Sequence, residues 1–423
     1  MVKKNNKYDW GNENVPQIDP HSLIKHKILN EYINAYIPIL LSNANIPKLT
    51  INLVDGFCGG GSYQDQNGMT LDGSPIHLIE AINKSRIDIN INREKERIID
   101  AHYFFADKNP NAIKFLKATL SSKYKDNIYY AQDYKKINLY NANFSNILPN
   151  LINKIKNNKG GERAIFFLDQ YGYSDVKIKE INQILRELKN SEVILTFNIE
   201  SMFPYFSKDN HFRKALINLE IDSYIDWKIV EQLPKDGHHY RVYIQRQIAK
   251  ALKDLSNAKF MTLFFIKPQS SKEWGYWLVH LCNTYRAHEV MKRLHWNNAT
   301  YFGHSLEPGI FEFGYEANRD LELAGNSGTF DFDELSKQNC IDALHIDFGK
   351  ILFEQDSKIP VGYLFPSVVT NTPASEDILQ SSLKQLHEER SVEILNKDGK
   401  PRKPSKKYHQ TDIIIPSRQY KLF

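Results

Sequence analysis

Leu49-Thr50-Ile51-Asn52-Leu53-Val54-Asp55-Gly56-Phe57-Cys58-Gly59-Gly60-Gly61 is the stretch that decides the fold. Its first six residues are apolar and β-branched enough to form a short buried strand. The strand stops at an acid and runs into glycines, so the backbone can bend tightly there and let a ligand come close. Gly73-Ser74-Pro75-Ile76 then opens a helix, with Ser74 as N-cap and Pro75 at the first helical position.

Working outward, the same unit recurs. His102-Tyr103-Phe104-Phe105-Ala106 predicts a second strand ending at Asp107. Ile128-Tyr129-Tyr130-Ala131 reads as a weaker third strand followed by Gln132-Asp133. Ala164-Ile165-Phe166-Phe167-Leu168 ends at Asp169, and Val193-Ile194-Leu195-Thr196-Phe197 is a fifth strand. Helical patterns over 111–120 and 176–188 lie between them. This alternation predicts an α/β fold with a parallel, doubly wound sheet, whose ligands sit beyond the carboxyl ends of the strands. A mostly helical insertion spans about 205–257, and two strands, 260–266 and 276–282, flank the turn Pro268-Gln269-Ser270-Ser271-Lys272. A hairpin closing an otherwise parallel sheet is the ending of Rossmann-like methyltransferase sheets. Upstream, Leu23, Ile24, Ile28, Leu29, Tyr32, Ile33, Tyr36 and Ile37 recur at helical spacing. That helix can lie across the ligand pocket as a lid, bringing His21, Lys25 and His26, or those three can be plain surface or core residues.

Four predicted strands thus end in or near an acid. Asp55, with Gly56, Phe57, Gly59 and Gly61, resembles methyltransferase motif I more than the dinucleotide pattern G-x-G-x-x-G. Asp107 is placed to accept from ribose hydroxyls and Asp133 to meet an adenine amino group, so the cofactor expected is S-adenosylmethionine. Single aspartates after strands also serve as turn formers, and a nicotinamide dinucleotide site is the competing ligand reading. Asp169-Gln170-Tyr171-Gly172-Tyr173 lies where amino-methyltransferases of nucleic acid carry an Asp-Pro-Pro-Tyr-type motif. An amino group on a base is a poor nucleophile, so a carboxylate that accepts its N–H bonds and a stacked ring supply catalysis by orientation. Asp169 and Tyr171 are the candidate catalytic residues; a tight turn with its tyrosines packed on the core is the alternative.

The chain has 423 residues, enough for two domains, and a formal net charge of +5. Its three cysteines, Cys58, Cys282 and Cys340, follow no C-x-x-C pattern, which argues against a disulfide scaffold and a structural zinc site. Cys58 reads as a small buried residue, and no metal is expected. No window approaches ~20 consecutive apolar residues, so no membrane span is expected. The basic start is followed by Tyr8-Asp9-Trp10-Gly11 instead of an apolar stretch, so a cytoplasmic protein without a signal peptide is expected.

Residues 297–330 read as a linker. Beyond them, helices over 332–353 and 373–390 precede two short strands, 392–395 and 412–415, around a basic loop. This is the order of a winged helix, whose wing would set Lys400, Arg402, Lys403, Lys406 and Lys407 against the phosphates of DNA or RNA. Glu376, Asp377, Glu388 and Glu389 on the second helix suit a DNA backbone badly. They favour contact through the wing, or docking of a protein, and a solvated loop is the plain alternative.

Ser22-Leu23-Ile24-Lys25-His26-Lys27-Ile28-Leu29, Asp55-Gly56-Phe57-Cys58-Gly59-Gly60-Gly61, Gly73-Ser74-Pro75, Phe167-Leu168-Asp169-Gln170-Tyr171-Gly172 and Met291-Lys292-Arg293-Leu294-His295-Trp296 together resemble the three-Cys-motif partner proteins (TcmP). The resemblance spans nearly the whole chain. It implies a bacterial protein with a class I methyltransferase-like domain and a C-terminal winged helix. It also implies a three-cysteine-motif, radical-S-adenosylmethionine-like partner and a role in genome modification or phage defence. The family commonly has Asp-Pro where this chain has Asp169-Gln170. The organisation expected is a helical segment at 1–48, the methyltransferase domain at 49–320 and the winged helix at 330–423. Two functions stay open: a methyltransferase acting on or with nucleic acid, or a non-catalytic nucleotide-sensing or scaffolding subunit.

Overall fold

The apolar run at the centre of the sequence forms β1 (Lys48–Asp55), buried from its second residue to its last. This computed structural model describes residues 8, 10–11, 15–43, 45–158, 161–171, 173–199, 202, 210–233, 238–266, 276–298, 302–303, 333–355 and 358–417. The expected turn at 268–272 and the expected linker, apart from 297–298 and 302–303, lie outside the described residues.

Around β1 the chain folds α1 (Pro20–Leu40), β2 (Ser62–Gln64), β3 (Thr70–Asp72), α2 (Ser74–Asn90), β4 (Ile98–Asp107), α3 (Pro110–Tyr124), α4 (Ala131–Tyr134), β5 (Ile137–Asn141), α5 (Phe144–Asn157), β6 (Ala164–Leu168), α6 (Ile178–Glu187) and β7 (Ser191–Phe197). There follow α7 (Asn210–Asn218), α8 (Trp227–Gln232), α9 (His238–Ser256), β8 (Phe260–Ile266), β9 (Tyr276–Cys282), α10 (Tyr285–Asn297), β10 (Phe302–Gly303), α11 (Glu334–Gln355), β11 (Ile359–Pro360), α12 (Val361–Val368), α13 (Glu376–Glu388), β12 (Val392–Leu395) and β13 (Ile413–Pro416). Two compact units result: Met1–Tyr224 with Ala251–Val290, and Ile225–Lys250 with Met291–Phe423.

In the first unit the strands run β5-β4-β1-β6-β7-β9-β8. All neighbours from β5 to β7 pair parallel, while β9 is antiparallel to both β7 and β8. This is the methyltransferase-type α/β sheet with its closing hairpin. β6 and β7 are buried along their whole length because helices cover both faces, which explains their continuous apolar runs. The expected helix at 21–41 is α1, and it packs on α2 through its apolar stripe; Ile28, Leu29, Tyr32, Ile33, Tyr36 and Ile37 are almost inaccessible.

The expected third strand is a correction. Ile128 and Tyr129 are 84% and 80% exposed in a turn, and the strand forms instead at β5. As an edge strand, β5 is only half buried, so its apolar signal is weaker than that of Ile128-Tyr129-Tyr130, whose first two residues are exposed.

The second unit contains a winged helix: α11, β11, α12, α13, β12 and β13, with β13 central in the sheet β11-β13-β12. Ile378, Leu379, Leu383 and Leu386 form the buried face of α13. The sequence reading missed α12 and β11; Pro366 inside α12 conceals a helix that tertiary contacts stabilise.

Candidate functional site

The register of the sheet places three of the acids together. Asp55 pairs with Phe105 of β4 and Phe167 of β6, so Asp107 and Asp169 each lie two residues further along a neighbouring strand. Strands about 4.8 Å apart with a rise of about 3.3 Å per residue put their Cα atoms about 8 Å from that of Asp55. All three stand at the carboxyl rim, where doubly wound sheets take ligands.

Asp55 is completely buried. Its Oδ1 accepts the Phe57 N–H at 3.0 Å, the Ser74 hydroxyl lies beside it, and no ion pair reaches either oxygen among the described residues. Burial pushes its carboxyl up to about 7, with Asp169 and Asp107 adding to the rise and Ser74 and the Phe57 N–H opposing it. Asp107 accepts the N–H groups of Gly59 at 3.0 Å and Asn109 at 2.8 Å, so it ties the glycine bend to β4. Burial also raises its pKa.

The bend needs its glycines. Gly59 and Gly61 have φ of +57° and +73°, and a Cβ on Gly59 would fall 2.7 Å from the Tyr63 hydroxyl and 2.9 Å from the Trp10 indole. Trp10 also covers Gly60 and is held there by its Nε1–H to the Ser62 carbonyl at 3.2 Å. One face of the bend therefore carries the protein's own aromatic side chains. A Cβ on Gly56 would strike Leu168 and Phe144, so this glycine serves packing between β1 and α5. Phe57 is half buried, its ring 6.3 Å from that of Phe144.

Asp169 is met by α1. Lys25 of α1 donates to its two oxygens at 2.6 and 2.7 Å, and the same ammonium lies 5.6 Å from the ring centre of Tyr276. Tyr276, pushed up to about 12 by burial first, begins β9 and joins the rim from a strand the sequence reading had not linked to it. His26 turns elsewhere, its ring 4.9 Å from that of His77 on α2; burial and that neighbour lower its pKa. The side chain of His21 lies outside the described residues.

Gln170 is 1% exposed. Its Oε1 accepts the N–H groups of Asp175 and Val176 at 3.1 and 3.0 Å, whereas its Nε2 has no partner. Tyr171 is 66% exposed, free of the core, while Tyr173 packs 6.2 Å from Phe197.

Asp133 does not join the rim. It sits on α4, ahead of the start of β5, at the opposite end of the sheet. Arg86 grips both its oxygens and the Tyr103 hydroxyl adds a third donor, so this acid is a structural anchor. The misplacement follows from reading the third strand nine residues early. Past the true strand the rim residue is Asn143, whose side chain makes no hydrogen bond to the first turn of α5 although it is the N-cap. A polar N-cap after an edge strand was the available signal.

In the winged helix, Lys400, Lys403, Lys406 and Lys407 are exposed along the wing. Arg402 is not available with them. It is ion-paired to buried Asp412, and its guanidinium lies 5.6 Å from the ring centre of Tyr408. The outer face of α13 carries exposed Asp377 and Glu388, the latter paired to Lys384 at 3.0 Å.

Residues 314–399 match the family model of the GMT-like wHTH domain. That match covers the start of the wing and the helices before it. No curated protein matches the chain. Among solved structures, a Legionella pneumophila protein of the DUF519 family aligns with 66% of this chain and 92% of its own, at 11% identity and a TM-score of 0.35. The DszA carbon methyltransferase aligns over 63% of this chain and 56% of its own, at 10% identity and a TM-score of 0.33. The kinase-methyltransferase WbdD has 11% identity and a TM-score of 0.32, and the alignment spans 39% of its length. Likenesses at this level say nothing of substrate or site. No helix among the described residues is long and apolar enough to cross a membrane.

Proposed function

We propose that the carboxyl rim binds S-adenosylmethionine and presents its methyl group to an acceptor on nucleic acid that the wing lysines engage. The buried carboxyl of Asp55 carries this reading: it stands at a ligand-accepting rim, is raised in pKa by burial and has no cationic partner, so a cation serves it best. The rim acids outnumber the cations near them, Lys25 on Asp169 and Lys108 near Asp107. Such a field repels the pyrophosphate of a dinucleotide and attracts a ligand bearing an ammonium and a sulfonium. Asp55, Gly56, Phe57, Gly59, Gly61 and Asp107 would hold the cofactor, with Asn143 in the part first given to Asp133. Bound there, the cofactor supplies an electrophilic methyl group. Asp169, oriented by Lys25, accepts the N–H bonds of the acceptor; the idle Gln170 Nε2–H offers a donor beside it, and exposed Tyr171 a stacking face. Transfer of labelled methyl from S-adenosylmethionine to DNA or RNA, lost in Asp169→Ala, tests the proposal.

The second reading is a sensor or scaffold that binds the nucleoside without turnover. Gln170 favours it, since its carbonyl is committed to the loop 171–176 and stands where the resembled family has proline. Calorimetric binding with no transfer over a broad panel of DNA and RNA would decide for the sensor. The resemblance to three-Cys-motif partners adds a bacterial genome-modification or phage-defence setting and a three-cysteine partner protein. Co-purification of that partner, weakened by charge reversal on α13, tests this extension.

A further inference from the structure

Behind the sheet, on the hairpin that closes it, His280, Cys282 and His288 converge, each at most 1% exposed. One nitrogen of each imidazole and the Cys282 Sγ all lie within 4.8 Å of one another. His280 and Cys282 stand two apart on β9 and so share a face, and His288 comes from the first turn of α10. We propose that these three side chains bind a zinc ion that fastens β9 to α10.

The hydrogen bonds around the cluster leave one ring nitrogen of His280 unused. His280 Nε2 is 3.2 Å from Glu192 Oε2, and Glu192 also accepts the Tyr32 hydroxyl. The other nitrogen, His280 Nδ1, is buried with no hydrogen-bond partner. A histidine with one nitrogen held by a carboxylate and the other left for a metal is the arrangement zinc sites use to orient their ligands. On His288 the Nδ1 is 2.9 Å from Thr262 Oγ1, and the ring brings one nitrogen to the cluster. The Cys282 thiol points at the Thr284 carbonyl at 3.4 Å; its proton leaves on binding and the thiolate takes the metal. One thiolate and two imidazoles are a zinc donor set, and a water completes the tetrahedron. Zinc bonds of about 2.0–2.3 Å place ligand atoms roughly 3.3–3.7 Å apart, a modest contraction of the present cluster.

Charge agrees with geometry. Glu192 is 1% exposed and takes donors from Tyr32 and Tyr36. A hydrogen-bonded network sufficient in itself would not leave His280 Nδ1 idle. With a divalent ion, the thiolate and the Glu192 carboxylate together balance its charge. Sequence spacing conceals the set because the ligands come from alternate residues of one strand and the helix after it, with a single cysteine.

The test uses the full chain, purified and also refolded with zinc, with metal measured by plasma mass spectrometry. One zinc per chain is expected, with Cys282→Ala and His288→Ala each losing it. Glu192→Gln should keep the stoichiometry but weaken affinity about 10–100-fold in chelator competition. Cobalt in place of zinc should give a thiolate-to-metal charge-transfer band that persists in Cys58→Ala and Cys340→Ala and is absent from Cys282→Ala. If the ligand variants fail to fold, the wild-type chain decides alone. A metal-free chain after refolding with zinc, no cobalt–thiolate band, or zinc retained in folded Cys282→Ala would each overturn the site.

Discussion

Asp55 and Asp133 are 0% and 2% exposed, both border the same sheet, and the protein treats them in opposite ways. Asp133 has Arg86 on both oxygens and the Tyr103 hydroxyl besides. Asp55 has the Phe57 N–H on one oxygen and the Ser74 hydroxyl beside it, and no cation grips it. The comparison separates two uses of a buried acid. One whose charge is met by a cation of the protein is part of the scaffold; one left without a cation at a ligand-accepting rim is held in readiness for a ligand.

The comparison breaks most sharply at Asp133→Ala. Removing it leaves the largely enclosed Arg86 without its partner, and a loss of about 3–5 kcal/mol in unfolding free energy is expected by denaturant titration. Cofactor affinity of the folded fraction should not change. Equal loss of affinity would return Asp133 to the site.

At Asp55 the expectation reverses. Asp55→Asn should weaken S-adenosylmethionine binding about 100-fold by calorimetry, about 2.7 kcal/mol, through loss of a charge-assisted partner. Stability should not fall with it. The carboxyl titrates near 7 in the fold against an ordinary 3.8, so the folded state binds the proton more tightly than the unfolded chain. What the protonated group contributes to stability is therefore fully present below about pH 4 and is lost as pH rises through 7. The D55N chain should lack that slope. Because the ligand pairs with the ionised form, wild-type affinity should rise with pH up to about 7 and then level.

Smaller effects sharpen the picture of the glycine bend. Gly60→Ala pushes a methyl into the Trp10 indole and should destabilise by about 1–3 kcal/mol. Combined with Trp10→Ala, the two losses should be markedly less than additive in thermal melts, since the second change removes the clash.

The smallest effect belongs to the wing. Lys403→Ala and Lys406→Ala should each lower nucleic-acid affinity uniformly across sequences and reduce the salt slope by about 1. Arg402→Ala should instead loosen the wing by leaving buried Asp412 unpaired, seen as faster amide exchange around β13.

How far the sequence carried varied with burial. β1, β6 and β7 were legible because strands covered on both faces are apolar throughout. β5 was displaced because an edge strand buries little and a run of exposed residues carried the stronger signal. The misassignment of Asp133 follows from that single displacement. Lys25 was recognised as a candidate, but its pairing with Asp169 joins residues 144 positions apart and no local pattern contains it.

The sequence by itself determined the alternation of strands and helices, the glycine bend, the acids that close β1 and β4 and follow β6, and the winged-helix order of the C-terminal region. Periodicity, turn chemistry and charge are properties of neighbours along the chain. Tertiary structure alone decided which acid has a cation and which has none, that Trp10 lies on the bend, that Arg402 is drawn inward, and that two histidines and a cysteine meet behind the hairpin. Each depends on groups distant in sequence competing for the same buried space, where a missing partner costs more than any local propensity can offset.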